Sequence, residues 1–354
     1  MTDSITKRMA KRTAMNNMID VAVVGATGTV GEAMIAILEE RNFPVGNLFP
    51  LASERSAGSR IAFKGRQERV GVLEDFDFTK VRLGLFSAGA GVSAEYAPRA
   101  AATGCVVIDN SSQFRYDDDV PLVVPEVNPR AVADYSARNI IANPNCSTIQ
   151  MVVALKPIHD AVGIERINVA TYQAVSGTGR DAMEELAGQT AALLSGKDID
   201  CNVYPKQIAF NVLPHIDVFM DNGYTREEMK MVWETHKIMG DDSIKVNATC
   251  VRVPVFFGHS EAVHLETRKK LSVDEARRLL ADAPGVVVMD EPGEEGYPTC
   301  VSESAGQDPV FVGRIREDLS HPRGMDLWVV SDNVRKGAAL NSIQIAEILV
   351  KDFL

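Results

Sequence analysis

The sequence predicts an α/β chain in two parts: a parallel sheet with helices on both faces, then a second α+β part with a mostly antiparallel sheet. Three observations carry this. A strand, a glycine turn and a helix open the chain at Ile19–Gly31. Strand-like and helix-like runs then alternate as far as about residue 145, which is the pattern of a parallel sheet. After Cys146 the apolar runs become longer and richer in β-branched residues, which points to antiparallel strands.

Taken in order, Ile19 to Val24 is a short apolar strand leading into Gly25-Ala26-Thr27-Gly28-Thr29-Val30-Gly31. Ala33, Met34, Ile37 and Leu38 then repeat at helical spacing. Glycines in such a turn let the backbone approach a pyrophosphate, and the helix N-terminus faces it. The spacing is GxxGxxG rather than GxGxxG, but its flanks are those of a Rossmann-like dinucleotide-binding unit. Leu48 to Ala52 reads as the next strand, ending in Ser53-Glu54-Arg55-Ser56. An acid there would bind the 2′-hydroxyl of NAD, and an arginine the 2′-phosphate of NADP. Arg55 between two serines favours NADP, although Glu54 and Arg55 also fit an ordinary solvated pair. Val81 to Phe86 reads as a strand, Ser87-Ala88-Gly89-Ala90-Gly91 as a second glycine turn, Ser93 to Ala102 as a helix and Cys105 to Ile108 as a strand. Beyond Cys146, strand-like runs cover Arg166 to Val175, Ile244 to Phe257 and Ala262 to Thr267. Ala338 to Val350 reads as a helix that returns to the first part.

These readings divide the chain into residues 1–18, 19–145 and 146–334, with 335–354 rejoining the second of these. The first 18 residues are basic through Lys7, Arg8, Lys11 and Arg12, lack the apolar core of a secretory signal and read as a disordered extension. Met15 and Met18 are alternative starts, and Asp3 and the short length argue against a transit peptide. A net charge of −11 argues against a nucleic-acid partner and leaves no membrane footprint. No apolar run approaches the roughly 18 residues of a membrane span. The five cysteines are scattered, with no CxxC pair, which implies a reducing cytoplasm and no metal site.

The run Asn143-Pro144-Asn145-Cys146-Ser147-Thr148 carries the chemistry. A proline turn ends the apolar run Ile140-Ile141-Ala142, and Ile149 to Leu155 reads as a helix. The thiol therefore stands at a helix N-terminus, where orphan N–H groups and the dipole favour a thiolate. A buried, inert cysteine is the bland alternative. A nicotinamide fold with a nucleophilic cysteine suggests thiolate addition to an aldehyde, hydride loss, and release of the resulting thioester by a second nucleophile. Such a site needs an acid/base, and His259 beside Gly258 is the best of six histidines. Arg252 lies in an apolar strand and needs an anionic partner such as a substrate carboxylate. Arg115 follows Asp109-Asn110-Ser111-Ser112-Gln113 at a strand end, where doubly wound sheets place ligands. Glu227 and Lys230 share a helix face at i,i+3, which also fits a surface salt bridge.

From Ile19 to its end the chain resembles the bacterial aspartate-β-semialdehyde dehydrogenases. The resemblance rests on Gly25 to Gly31, Asn110-Ser111-Ser112-Gln113-Phe114-Arg115, Asn143 to Thr148, Tyr172-Gln173-Ala174-Val175-Ser176-Gly177, Cys250-Val251-Arg252-Val253-Pro254 and Asp332-Asn333-Val334-Arg335-Lys336-Gly337, in matching order and spacing. It implies Cys146 as acyl-thioester nucleophile, His259 as general acid/base, and Gln173 as an aid in holding substrate. It implies Glu227 for the substrate ammonium and Arg252 for its α-carboxylate. Arg115, Lys230 and, less directly, Asn145 would bind phosphate. Gly25, Thr27, Gly28, Thr29, Val30, Gly31, Arg55, Ser56, Ser176, Gly177 and Asn333 would contact NADP.

The implied reaction is reversible NADP-dependent reductive dephosphorylation of 4-phospho-L-aspartate to L-aspartate 4-semialdehyde and phosphate. The family places it at the branch to lysine and diaminopimelate, threonine, methionine and isoleucine. It also implies a cytoplasmic homodimer formed through the second domain, or a dimer of dimers. N-acetyl-γ-glutamyl-phosphate reductase is the nearest rival, but that family has Gly before and an aromatic residue after its cysteine, where this chain has Asn145 and Ser147. A phosphorylating glycolytic aldehyde dehydrogenase has a different cysteine motif. A non-catalytic NADPH-binding regulator would have no reason to combine Cys146, Gln173, Arg252 and His259.

Overall fold

The structure, a computed structural model, describes residues 18–354. The expected extension over residues 1–18 therefore lies, apart from Met18, outside the described residues.

Strand β1 (Ile19–Val24) enters the glycine turn, and helix α1 (Thr29–Glu40) leaves it. Gly25 sits at φ +83°, a conformation glycine adopts without steric cost. Gly31 has no room for a side chain: a Cβ there would lie 2.1 Å from the Gly25 carbonyl oxygen. The chain continues through β2 (Val45–Ala52), a hairpin of β3 (Arg60–Phe63) and β4 (Arg66–Arg69), β5 (Gly71–Val72), β6 (Leu83–Phe86), α2 (Ala90–Ala102), β7 (Val106–Asp109) and β8 (Ile140–Ala142). Strands β5-β2-β1-β6-β7-β8 form one fully parallel sheet. The order in which strands are added reverses between β1 and β6, so the crevice at their C-terminal ends is a ligand position of open α/β sheets.

Helix α3 (Cys146–Val162) leads into β9 (Ile164–Gln173), α4 (Arg180–Leu194), α5 (Arg226–Met239), β10 (Lys245–Arg252), β11 (His259–Thr267), α6 (Val273–Ala281), β12 (Val286–Val288), β13 (Val310–Glu317), β14 (Gly324–Ser331) and α7 (Leu340–Asp352). The second sheet has the order β10-β9-β11-β14-β13-β12. Its pairings β9/β11, β11/β14 and β13/β14 are antiparallel, whereas β9/β10 and β12/β13 are parallel. The sheet is thus mixed. The parallel β9/β10 pair needs a crossover, supplied by the α4–α5 excursion that strand periodicity alone did not reveal. The run expected from Ile244 to Phe257 ends as a strand at Arg252, because Pro254 has no N–H for the ladder.

Helices α1 and α7 cover one face of the parallel sheet, with Met34, Ile37, Leu38, Leu340, Ile343 and Leu349 against Val21, Val23, Leu83 and Leu85. A second core runs from the opposite face, under α2, through α3 into the second sheet. Helices α3, α5 and α6 lie together on that sheet's inner face. No helix among the described residues is long and apolar enough to cross a membrane.

Candidate active site

The strand register lines up the polar residues of the second sheet. Arg252 on β10 lies beside Gln173 on β9, Gln173 beside His259 on β11, and His259 beside Ser331 on β14. All four are buried, on the face covered by α3. The next row inward is Cys250, Thr171, Glu261 and Val329, and the one beyond it is apolar.

Helix α3 begins at Cys146 because Asn145 caps it. Asn145 is extended, and its Oδ1 accepts the N–H groups of Ser147 (3.0 Å) and Thr148 (3.3 Å). Among the described residues the Cys146 N–H meets no acceptor. The Asn145 Nδ2 donates to Glu227 Oε1 at 2.9 Å, and its backbone N–H donates to Glu234 Oε2 at 2.6 Å. Glu227 and Glu234 stand on α5, whose first turn is fixed by a capping box between Thr225 and Glu228.

The thiol opens partly onto a cleft of about 400 Å³ between the two sheets. Arg115, Asn145, Gln173, Glu227, Lys230 and Arg252 line it, as do Val30, Ser176, Gly177 and Asn333. His259 lies beneath it: a Cβ added at Gly177 would come within 3.4 Å of its ring.

Most charges here are already paired. Burial alone would raise the Glu227 pKa, but Lys230 at 2.9 Å and the amide donors of Gln173 and Asn145 outweigh it and hold the carboxyl down at about 2. Lys230 also reaches Asp217 at 2.8 Å and is held above its ordinary pKa despite burial. The pair is therefore buried and built into the site, not the surface bridge that was the alternative. Arg115 donates to Glu234 at 3.0 Å and to the Asn110 carbonyl at 2.9 Å. Arg252 donates to the Ala174 carbonyl at 2.7 Å, and its Nε, like that of Arg115, has no partner among the described residues.

The backbone sets the tautomer of His259, whose Nε2 lies 3.4 Å from the Gln173 amide nitrogen. The Ala174 N–H donates to Nδ1 at 3.0 Å, so the neutral ring carries its proton on Nε2. Burial and Arg252 push its pKa down to about 3, so it is neutral near pH 7. Gln173 is fixed by Thr171, which donates to its Oε1, and by its own donation to Glu227. For Cys146 the expectation of a lowered pKa does not hold in this resting site. Burial and Glu227 push the thiol up to about 12, against Arg252, Arg115 and the Ser147 N–H. Desolvation outweighs the helix start.

The remaining predicted residues lie along the crevice. Gly25 to Gly31 form the β1–α1 turn, and Arg55 and Ser56 follow β2 in a short 3₁₀ turn. Arg55 is exposed, with no ion-pair partner among the described residues. Asn333 bonds Ser176 and accepts the Gly258 N–H at 2.8 Å, which ties it to the turn before His259. Gly258 has φ +89°. Sequence reading missed Glu234 and Asp217. Glu234 had a signal, since Glu227, Lys230 and Glu234 follow at i, i+3 and i+7 on one helix face. Asp217 lies in an irregular loop with no such pattern. Among the described residues no group of His, Cys, Asp and Glu is arranged to hold a metal.

A dinucleotide-type crevice meeting a cysteine and a polar row of a second sheet defines a two-domain oxidoreductase. Residues 20–135 match the semialdehyde dehydrogenase NAD binding domain, and residues 155–336 the semialdehyde dehydrogenase dimerisation domain. The aspartate-semialdehyde dehydrogenase of Shewanella violacea is 63% identical over 339 residues, 96% of this chain and 100% of the relative. The crystal structure of aspartate semialdehyde dehydrogenase II from Vibrio cholerae, complexed with ASA, superposes with a TM-score of 0.94 at 59% identity, covering 95% of this chain and 99% of that one. The Candida albicans enzyme with NADP gives 0.73 at 26%, covering 94% and 98%. The chain belongs to the aspartate-semialdehyde dehydrogenase family, and its first domain is of the nicotinamide-cofactor type.

Proposed function

We propose that the protein catalyses the reversible NADP-dependent reductive dephosphorylation of 4-phospho-L-aspartate, giving L-aspartate 4-semialdehyde, NADP⁺ and phosphate. The observation that carries this is one cleft in which a thiol at a helix start meets an ionised Glu227, an incompletely bonded Arg252 and the cations Arg115 and Lys230. Those groups match an amino acid with a second, phosphorylated carboxyl. The names of the relatives above agree with it.

The glycine turn fits a dinucleotide, because Gly31 leaves α1 packed on the turn and Gly28 caps the helix without a side chain. Gly25, Thr27, Gly28, Thr29, Val30 and Gly31 would hold its phosphates, Arg55 and Ser56 the 2′-phosphate, and Ser176, Gly177 and Asn333 the nicotinamide end. When bound, the cofactor supplies or accepts the hydride.

The chain's own residues do the rest. Glu227 receives the substrate ammonium, Arg252 the α-carboxylate, and Gln173 steadies both. Cys146 attacks the acyl phosphate: the C–S bond forms, the C–O bond to phosphorus breaks, and the thiol proton leaves with hydrogen phosphate. Arg115, Lys230 and Asn145 stabilise that departing charge. The free Cys146 N–H and the Nε2–H of His259 supply donors for the oxyanion that follows; as it collapses to the aldehyde the C–S bond breaks, and His259 gives its Nε2 proton to the leaving Cys146 thiolate and is reprotonated from solvent. An ammonium at Glu227 also cancels the charge that most opposes thiol ionisation after burial itself. The product feeds the branch to lysine and diaminopimelate, threonine, methionine and isoleucine. A homodimer, or a dimer of dimers, fits the apolar residues exposed on the second sheet and the turns beside it, Tyr172, Phe256, Phe257, Tyr297 and Val301, and we place it in the cytoplasm.

Phosphate-dependent NADP⁺ reduction with L-aspartate 4-semialdehyde tests the reading. Wild type is expected to be active and Cys146→Ala inactive. An inactive wild type, or a variant that keeps its rate, overturns it.

A further inference from the structure

Of the motif Asp332 to Gly337, the proposed reaction uses Asn333 alone. Within the rest, Arg335 pairs outward with Glu40 and Asp308, whereas Gly337 lies against Cys146. Gly337 lies in the turn Arg335–Ala339 that opens α7, and its N–H donates to the Asp332 carbonyl at 3.1 Å. A Cβ on Gly337 would stand 2.7 Å from the Cβ of Cys146 and 3.3 Å from its Cα. The backbone of the C-terminal segment thus lies directly against the nucleophile.

A second, polar set of contacts joins the same two places. Lys336 is 1% exposed. Its Nζ donates to Glu126 Oε2 at 2.6 Å, Gln344 Oε1 at 2.7 Å and Asn341 Oδ1 at 3.0 Å. The Asn341 Nδ2 donates to Asn143 Oδ1 at 2.7 Å and to the Val123 carbonyl at 3.0 Å. Asn143 in turn donates to Asn110 Oδ1 at 2.9 Å, and Asn110 donates to Ser342 Oγ at 2.8 Å. The Asn110 carbonyl accepts Arg115. The chain of bonds therefore ends at both functional places: the turn that delivers Cys146 and the guanidinium of Arg115. All the side-chain amides in it are satisfied, which leaves the network one arrangement.

We propose that Gly337 and Asn341 are positioning residues, Gly337 as a backstop that sets the place of the Cys146 thiol and Asn341 as the link that holds the Asn143 turn and, through Asn110, Arg115. This rests on the assignment of Cys146 and Arg115 in the proposed reaction. Carbon atoms in contact sit about 3.5–4.0 Å apart, so a methyl at residue 337 moves the thiol or the segment by about 1 Å. A misplacement of that size at a reacting atom costs about 100-fold in rate.

The test uses the full chain with Gly337→Ala and Asn341→Ala. It measures kcat, the KM values for L-aspartate 4-semialdehyde and phosphate, and the rate at which iodoacetamide alkylates Cys146, resolved by peptide mass from exposed Cys201. Gly337→Ala is expected to lower kcat about 100-fold with both KM values within about threefold, and to change Cys146 alkylation at least about threefold. Asn341→Ala is expected to raise the KM for phosphate about tenfold and to leave that for the semialdehyde within about twofold. The inference is overturned by a Gly337→Ala enzyme with wild-type kcat and alkylation. It is also overturned if either variant merely loses active sites, with kcat per titrated site, both KM values and alkylation unchanged. If Gly337→Ala does not fold, the split in KM values of Asn341→Ala decides. An active Cys146→Ala would defeat the underlying reaction; an inactive one beside a normal Gly337→Ala defeats this inference alone.

Discussion

Replacing Glu227 by glutamine tests the electrostatic reading of the cleft without reference to turnover. The Glu227 side chain is 6% exposed and that of Lys230 12%. The Glu227 pKa drops from an ordinary 4.5 to about 2. A shift of about 2.5 units corresponds to about 3 kcal/mol of native-state stability near neutral pH. The folded pKa lies below the unfolded one, so this contribution is full above about pH 4.5 and is lost as pH falls through about 2. A neutral amide cannot supply it, and Lys230 would keep Asp217 as its one carboxylate. Urea unfolding of both proteins at pH 7 should therefore show Glu227→Gln less stable by about 3 kcal/mol. At pH 3.5, about one unit below the unfolded value, the gap should shrink by about 1.4 kcal/mol. Other groups titrate alike in both proteins and cancel in the difference. A gap that stays the same at both pH values, or a variant within about 0.5 kcal/mol of wild type at pH 7, would refute an ionised, paired Glu227.

Three further outcomes follow. With the His259 pKa pushed down to about 3, kcat/KM should show no histidine limb between about pH 5.5 and 7.5; a limb near 6.5 that disappears in His259→Asn would contradict the buried neutral ring. The same shift contributes stability above the unfolded histidine pKa that is lost as pH falls toward 3. Arg55→Ala should raise the Kd for NADPH at least about tenfold and that for NADH by less than about twofold, as read by fluorescence titration, because the charged contact is to the 2′-phosphate alone; equal effects would remove Arg55 from that site. Asn145→Ala loses the α3 cap and a donor to Glu227, so urea unfolding should report a loss of about 1–2 kcal/mol, and an unchanged midpoint would count against the cap.

What the sequence made legible followed from local rules. The Gly25–Gly31 turn, the helix starting at Cys146 and the C-terminal helix each show in periodicity and capping, which depend on neighbours in the chain. The crossover between β9 and β10 did not show, because parallel pairing is decided by residues more than 70 positions apart. The pairing states of the site were also hidden. A sequence offers Glu227, Lys230 and Arg115 as charges but not that Glu234 and Asp217 already hold two of them. The Cys146 shift runs opposite to the sequence expectation for the same reason: a helix start is visible in sequence, whereas the burial and the nearby Glu227 that overrule it are tertiary facts.

These pairings bear on how such a site can be both stable and reactive. A cleft holding unpaired Glu227, Lys230, Arg115 and Arg252 would carry the desolvation cost of each. Here Glu227 holds Lys230, Glu234 holds Arg115, and Arg252 rests on the Ala174 carbonyl. Each resting partner presents the chemistry of a substrate group: Lys230 offers Glu227 an ammonium, and Glu234 offers Arg115 an anionic oxygen. On the proposed reaction, ligand entry is then an exchange of partners rather than a new burial of charge. A substrate ammonium at Glu227 frees Lys230 to turn to the phosphate. With Lys230 still nearby, it adds a further positive charge beside Glu227, the largest opponent of Cys146 ionisation after burial itself. Thiol activation is thereby coupled to a substrate that carries an amino group. An N-acylated analogue would leave Glu227 paired with Lys230 alone and add no positive charge to offset what burial and Glu227 do to the Cys146 thiol.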